Sequence, residues 1–355
     1  MKTLSRYIIY SFIPIFAITL FVFISIIFWG SFIEKSALIS KYNLDYKTLL
    51  NFILLKMPYF ISTIIPFITL ISCSILIRNL ISTGQWKALL SGGYSPFQIM
   101  KPLFYFSILI AFLHFYFNEF ITIKNYVKSE EFYDIKIMNR PTNNFELRDI
   151  SFKSGNYFFY AEIYNLKENK MRNIFIKEIT DDFNPDRTFF SSEINWDENS
   201  KSWKYKDLKI FTEKGEITSK NIDLNFIPNP KNLSIGEYAS NTMDFFSLAE
   251  RINNLKILGL DYKKEKLDFY LKISNPASNI IMLFLSIIIS SSALFSNKIL
   301  GSGTTIFVGF LFWNATLTSQ RFSQIELITP FWGAFGAHIL FTFLIIYLLR
   351  KTKAF

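Results

Sequence analysis

Few residues of this 355-residue chain combine a type and a spacing that could support catalysis. The two histidines, His114 and His338, lie far apart and have no ligand-spaced neighbours, so a metal site is not expected. No phosphate-binding loop or nucleophile elbow occurs, and Gly301-Ser302-Gly303 lacks the lysine that a phosphate loop needs. The sequence therefore predicts no cofactor and no ATP hydrolysis by the chain itself, and it favours a transport component over an enzyme.

Three charged residues adjoin apolar runs. Glu119 is the one acid in the third apolar stretch, and a carboxylate at the bilayer centre costs about 2.5 to 3.5 kcal/mol. It must face protein, a wet cavity or the outer interface, and its place near the outward end favours simple solvation at the interface. Glu34 and Lys35 are interpreted as a snorkelling interface pair. The alternative for all three is contact with a charged lipid head group.

The three charged side chains are positioned by six uncharged apolar runs. Three runs lie on each side, along the chain, of a polar insert of roughly 150 residues. Each approaches or exceeds the roughly 20 residues that cross a bilayer as a helix. The third is the shortest and is expected to continue to residue 123. The runs cover residues 7–33, 57–77, 102–118, 273–297, 299–320 and 327–349.

The short connections between the runs indicate the orientation. Those assigned to the cytoplasm carry Lys or Arg and no acid, as the positive-inside rule requires. Both termini are therefore predicted to be cytoplasmic and the insert to lie outside. The net charge of +10 is concentrated around the membrane part, so it needs no nucleic-acid partner.

The insert has the pattern of a β-meander with long strands. Turn-like clusters recur about every 15 residues, and the apolar phase switches near Asp207, as at a bulge. One alternation face carries Tyr157, Phe159, Ala161 and Ile163. This face is either an ordinary sandwich core or the lining of a groove for an acyl chain. An amphipathic helical pattern follows after residue 240. The predicted helix lies either at the membrane boundary or beneath the sheet.

Residues 82–93, STGQWKALLSGG, predict a short helix between the second and third runs that ends at Gly92-Gly93. Trp86, Leu89 and Leu90 fall on one side, as a helix that docks into a partner's groove requires. A helix that lies flat on the inner leaflet has the same pattern, so periodicity leaves both alternatives open.

The chain resembles the lipopolysaccharide-export permeases of the LptF/LptG (YjgP/YjgQ) type over nearly its whole length. The resemblance rests on Arg6-Tyr7 before the first run, on the SGGYSP segment, on the insert between spans three and four, and on Pro276 at the start of span four. The approach to span four, DYKKEKLDFYLKISNP, is more similar to the LptG branch.

The resemblance implies roles for particular residues. Residues 82–93 correspond to the coupling helix that docks on a cytoplasmic ABC ATPase, and the usual acid there is Gln85 in this chain. The implied coupling residues are Gln85, Trp86, Leu89, Leu90 and Gly93. Glu119 matches an acidic position of the family's third span. Ser31 stands where one branch has a lysine, so the lipid-phosphate role of that lysine is not carried over to it, and the nearest lysine is Lys35.

The predicted fold is an α-helical multi-pass membrane protein with six transmembrane helices and an inserted periplasmic β-jellyroll-like domain. The predicted parts are helices one to three in 1–123, the jellyroll in 124–240, a connecting helix in 241–272 and helices four to six in 273–355. The jellyroll face at Tyr157, Phe159, Ala161 and Ile163 is implied to carry lipid.

The predicted function is that of a permease subunit in the bacterial inner membrane, which extracts lipopolysaccharide or a related glycolipid. The implied partners are a cytoplasmic ABC ATPase dimer, a second homologous permease subunit and periplasmic jellyroll bridge proteins. The alternatives are a non-transport permease that transmits ATP-driven force to an extracytoplasmic partner, and a membrane-bound lipid-modifying enzyme.

Overall fold

The computed structural model separates into two compact units, one formed by residues Met1–Met138 and Lys266–Phe355 and the other by Asn139–Glu265. We call them the membrane unit and the sheet unit. The residues that the structure describes are 2–138, 146–154, 156–165, 168–179, 185–198, 200–212, 215–217, 227, 230, 242–257, 261–291 and 298–352.

Long helices dominate the chain outside the insert. Two short π-helical segments, Asn118–Thr122 and Tyr133–Ile137, follow the fourth and fifth helices and extend them without a break. The α-helices are α1 Lys2–Tyr42, α2 Tyr46–Ser82, α3 Gln85–Ser91, α4 Pro96–Phe117, α5 Ile123–Phe132, α6 Phe245–Ile257, α7 Lys263–Ser291, α8 Lys298–Gln324 and α9 Pro330–Thr352.

Five helical segments in the described residues are long and apolar enough to cross a membrane: Thr3–Tyr42, Tyr46–Ser82, Pro96–Ile137, Lys263–Ser291 and Pro330–Arg350. They contain three of the six predicted runs in full and overlap two more, 273–297 and 327–349. Residues 292–297 of the fourth run lie outside the described residues, and residues 327–329 of the sixth precede its helix. The third segment extends well beyond residue 123. The predicted fifth run lies in α8, which is not among the five, so the count of six stays a prediction. The multi-pass helical architecture with an inserted β-domain is confirmed.

Helix ends in the membrane unit follow local sequence signals. Ser95 caps α4 through a capping box, in which its hydroxyl accepts from the Gln98 amide and the Gln98 side chain accepts from the Ser95 amide. Pro96 follows at the first helical position, where its missing N–H costs nothing. The SGGYSP segment therefore ends one helix and starts the next.

The strands of the sheet unit form one antiparallel sheet with the order β1-β2-β3-β4-β6-β7, and β5 also pairs with β4. This is the predicted meander. The strands are β1 Glu146–Ser154, β2 Tyr157–Asn165, β3 Lys170–Ile179, β4 Pro185–Asp197, β5 Ser202–Lys206, β6 Lys209–Thr212 and β7 Gly215–Ile217.

A line of irregular residues crosses this sheet. Asp149 in β1, Asn173 in β3 and Asp207 between β5 and β6 have φ of 52°, 49° and 54°, in the left-handed region. On β2 the buried positions change parity at this line, from Phe159 and Ala161 to Tyr164. The phase switch predicted near Asp207 is therefore confirmed, and it is one point of a crease that spans several strands.

One face of the sheet packs into an apolar core on both sides of the crease. Buried side chains from β1 to β6 contribute, and Ile227 joins them. In the same unit, α6 buries Leu248 and Leu255, whereas Phe246 is 81% exposed. Asp244 accepts hydrogen bonds from the Phe246 and Ser247 amides and so caps the helix.

Candidate functional site

The short helix predicted within residues 82–93 is present as α3, Gln85–Ser91. Its C-terminal end is a Schellman motif, in which the Tyr94 amide donates to the Leu89 carbonyl and the Gly93 amide donates to the Leu90 carbonyl. Gly93 has a φ of 83°, which a residue with a Cβ adopts only with strain. This motif fixes the turn between α3 and α4.

The structure separates the three apolar residues that the sequence places on one docking face of α3. Trp86 is only 9% exposed and packs in a core with residues of α1, α2, α4 and α7. Leu89 is half-buried against the same core, whereas Leu90 is exposed. Trp86 therefore anchors α3 to its own helical unit, and it is Leu90 that lies open for a partner.

Gln85, at the start of α3, contacts the first helix. The Tyr7 hydroxyl donates a hydrogen bond of 2.6 Å to Gln85 Oε1. Tyr7 belongs to the Arg6-Tyr7 pair that precedes the first apolar run, so the two segments that carry the family resemblance lie in direct contact here. A movement of α3 therefore reaches α1 as well as α2 and α4.

The predicted lipid-path residues of α1 lie at its predicted outward part. Lys35 Nζ lies 2.8 Å from Glu34 Oε1, and both side chains are solvent-accessible. Such an exposed pair contributes little to stability, because water screens the attraction between the two charges. Ser31 is half-buried, while Trp29 and Ile33 beside it are exposed. The arrangement agrees with the predicted interface pair and leaves both charges available to a ligand.

Glu119 is not solvated at an interface, so that prediction is wrong. It is 7% exposed in the π-helical segment after α4, and its Oε1 accepts a hydrogen bond of 2.6 Å from Lys272 Nζ of α7. Lys272 is equally buried. Of the three predicted alternatives, protein, a wet cavity or the outer interface, Glu119 faces protein, where the opposite charge of Lys272 stabilises a carboxylate withdrawn from water.

Lys272 was missed by sequence reasoning, which treated it as the polar approach to the fourth run. A signal was present in the spacing of Lys272, Pro276 and Asn279, which recur at intervals of four and three and so share one face of α7. All three are buried in the structure. Two polar side chains, Lys272 and Asn279, on one face of an apolar helix indicate buried partners.

The four predicted lipid-path residues of β2 do not share one environment. Phe159 and Ala161 are fully buried, whereas Tyr157 and Ile163 are half-buried. The Tyr157 hydroxyl donates to Glu178, and burial raises the pKa of Tyr157. Because the crease changes the alternation, Tyr164 is buried beyond it, and that burial raises the pKa of Tyr164 to about 12.

The histidines serve structural contacts. His114 Nε2 lies 3.0 Å from Ser62 Oγ, and His338 Nε2 lies 2.9 Å from Ser278 Oγ. Among the described residues no group of three or more His, Cys, Asp or Glu side chains could hold a metal ion.

In a comparison with known families, residues 6–351 match the family model described as "Lipopolysaccharide export system permease LptF/LptG". The match covers the membrane unit and the sheet unit alike. A search of curated proteins finds no match to the chain.

Proposed function

Since the chain belongs to the LptF/LptG family of lipopolysaccharide export permeases, we propose that it is one permease subunit of an ABC transporter in the bacterial inner membrane. It extracts lipopolysaccharide or a related glycolipid and passes it to a periplasmic bridge. The observation that carries the proposal is the family match over residues 6–351, which spans the apolar helices, α3 and the inserted sheet together. Its partners are a second homologous subunit and a cytoplasmic ATPase dimer.

The ATPase docks on α3 in this proposal. Leu90, Lys87 and Gln85 are exposed on the short helix, and Trp86 and Leu89 tie it to the membrane unit. Nucleotide-driven movement of the ATPase is therefore passed through Trp86 into the packed helices. These different roles follow from burial. An exposed side chain can contact a partner, whereas a buried one transmits displacement through close packing.

The lipid path begins at the outward part of α1 and continues over the sheet. Lys35 offers a cation to a lipid phosphate, with Ser31 and Glu34 beside it. The apolar face of the sheet that holds Phe159 and Ala161 receives the acyl chains. The greater similarity of the approach to span four to the LptG branch is part of the same proposal.

The docking role of α3 is tested with Leu90→Asp and with Ser91→Asp as the matched control. Both place one carboxylate at an exposed position of the same helix, but only the first removes the apolar contact. An interface hot spot contributes about 2 kcal/mol or more. Leu90→Asp should therefore lose the copurifying ATPase while Ser91→Asp retains it. Equal retention by both variants would remove α3 as the docking site.

The lipid path is tested with a photoreactive phenylalanine analogue at Phe159 and, as the control, at Phe158. The two neighbours have the same side chain, but Phe159 is fully buried on the core face and Phe158 is 40% exposed on the other face. ATP-dependent capture of lipid is expected from position 159 only. Equal capture from both positions, or none from either while ATP is hydrolysed, would contradict the lipid path and show that Phe159 belongs to an ordinary sandwich core.

A further inference from the structure

The face of the sheet that lies opposite the apolar core is rich in aromatic residues on one side of the crease. Strands β2, β3, β4 and β6 contribute side chains that alternate along each strand with the buried core residues. The strand register places them in two adjacent rows, Phe158, Lys177, Thr188 and Phe211 in the first and Tyr160, Phe175, Phe190 and Lys209 in the second. We call these eight residues the aromatic face.

The rings of the aromatic face are accessible and form a continuous surface across the strands. Phe158, Phe175 and Phe211 are 40%, 43% and 43% exposed. In the second row, the ring centroid of Phe175 lies 4.7 Å from that of Phe190 and 6.3 Å from that of Tyr160. Phenylalanine rings grouped on one exposed face indicate an interaction site, because scattered single residues are what an ordinary protein surface shows.

The charges of the aromatic face are positive. Lys177 and Lys209 are exposed, and none of the eight residues is acidic. In the register Lys177 pairs with Phe158 on one side and with Thr188 on the other, so its ammonium group belongs to the middle of the first row. An apolar surface that contains cations suits a partner that offers both apolar groups and negative charges.

Beyond the crease the exposed positions of the sheet have a different composition. The register aligns Arg172 of β3 with Glu193 of β4, and Glu193 with Lys206 of β5, so charges of both signs alternate there. Near the crease, Glu162 accepts a hydrogen bond from Asn173. This is an ordinary solvated surface, and the exposed rings with their lysines are confined to the other side of the crease.

The composition of the aromatic face favours a lipid surface over other extended partners. Lysine is depleted in the centres of protein–protein interfaces. Aromatic rings together with lysines are typical of surfaces at a membrane interface, where the rings reach the acyl boundary and the ammonium groups reach the head groups. A second copy of the chain is disfavoured, because a two-fold contact of this face with itself would set two positively charged surfaces against each other.

We propose that the aromatic face docks on an anionic phospholipid surface. Along the chain, the sheet unit lies between two helical segments that are long and apolar enough to cross a membrane, so a bilayer is within its reach. The rings enter the head-group region, and Lys177 and Lys209 pair with lipid phosphates. Contact of Phe158 with phospholipid is then independent of ATP, unlike the capture of lipid expected at Phe159.

Docking is tested with the full chain, one copy in each nanodisc, in equal parts of phosphatidylcholine and phosphatidylglycerol. A fluorophore is attached at Ser151→Cys in a Cys73→Ser background, and nitroxide groups on the lipid head groups quench it. Ser151 is exposed and pairs with Tyr160 beside the second row, so the label leaves all eight residues in place. The control is Ser200→Cys, another exposed serine of the sheet unit. Strong quenching is expected only at position 151, and equal quenching at both positions would overturn the proposal.

Two pairs of variants separate the apolar from the ionic contribution. Phe175→Asp should abolish the quenching, whereas Asn195→Asp, which places the same carboxylate at an exposed position of β4, should retain it. Lys177→Gln should lower the ratio of docked to free sheet unit about fivefold, and Lys206→Gln should leave the ratio unchanged. Thermal unfolding checks that each variant is folded. Undiminished quenching in Phe175→Asp and Lys177→Gln, or in nanodiscs of phosphatidylcholine alone, would overturn the assignment of an anionic lipid surface.

Discussion

Glu119 and Lys272 join the third and fourth predicted spans by a contact between two full charges, each about 6% exposed. Removing such charges from water is costly, and their mutual attraction offsets the cost only while both are present. The pair therefore contributes little net stability, and its main effect is to fix the position of α7 along the segment that follows α4. It holds one face of α7 against the π-helical segment after α4, at a point where the helix geometry is already irregular.

Breaking this pair one side at a time should be more harmful than removing it whole. Lys272→Met should lower the stability of the membrane unit by about 3 to 5 kcal/mol, because it leaves Glu119 buried and unpaired. The double variant Glu119→Leu with Lys272→Met should recover most of that loss. Thermal unfolding of the purified chain in detergent measures both.

The matched control is Lys56→Met, which breaks the pair with Glu130 in the same unit. That pair has a separation of 3.1 Å and side chains that are 25% and 45% exposed, so its loss should cost about 1 kcal/mol or less. A double variant at 119 and 272 as unstable as the single one would contradict this account of the pair.

At this scale the sequence predicted which residue is unusual but not its partner. Glu119 stands out because it is an acid in an apolar stretch. Lys272 does not stand out, since a lysine beside an apolar run is ordinary at a membrane surface. The same holds for Trp86, whose spacing fits a docking face and a core equally well. Burial is decided by neighbouring helices, which periodicity along one helix does not contain.

Among the elements, α3 depends most on backbone conformation. The helix has only seven residues, so the Schellman motif at its end and the anchor of Trp86 must hold it. The orientation of its exposed face relative to the membrane unit follows from these two features. A partner that pushes on Leu90 therefore meets a fixed element.

Gly93→Ala should loosen α3 because alanine in the left-handed region costs about 1 to 2 kcal/mol. The control is Gly92→Ala, one residue earlier, where φ is −78° and an added Cβ lies 3.4 Å from the nearest backbone oxygens. The first should weaken coupling of ATP hydrolysis to transport and lower thermal stability. The second should change both far less, and equal effects would argue against the motif.

The crease of the sheet shows what an alternation pattern does and does not predict. The switch near Asp207 was visible because the apolar phase changes within one segment. The corresponding switch on β2 was not, because Tyr157 to Tyr164 are apolar or aromatic at nearly every position and fit either phase. The irregularity at Asp149 and Asn173 in neighbouring strands moves Ile163 out of the core and Tyr164 into it.

Over the whole molecule, the division into membrane part and insert was predictable, because runs of uncharged residues are a strong signal. The structure agrees, because the strands of an antiparallel sheet follow one group of apolar helices along the chain and precede the other group. The helix least like an ordinary span is α8, whose Thr316 and Gln320 line a cavity within the membrane unit. The fifth run was predicted from the absence of charged residues alone, so the sequence did not indicate that its polar side chains line a cavity.

The predicted orientation of the chain rests on the basic, acid-free connections and is tested by cysteine accessibility in a Cys73→Ser background. Lys87 in α3 and Lys204 in β5 are both exposed lysines, so Lys87→Cys and Lys204→Cys differ chiefly in the side of the membrane they occupy. A membrane-impermeant maleimide that reaches the periplasm of intact cells should label Lys204→Cys. It should label Lys87→Cys only after lysis, because positively charged short loops remain in the cytoplasm. Strong labelling of Lys87→Cys in intact cells would invert the topology and place α3 out of reach of any cytoplasmic ATPase.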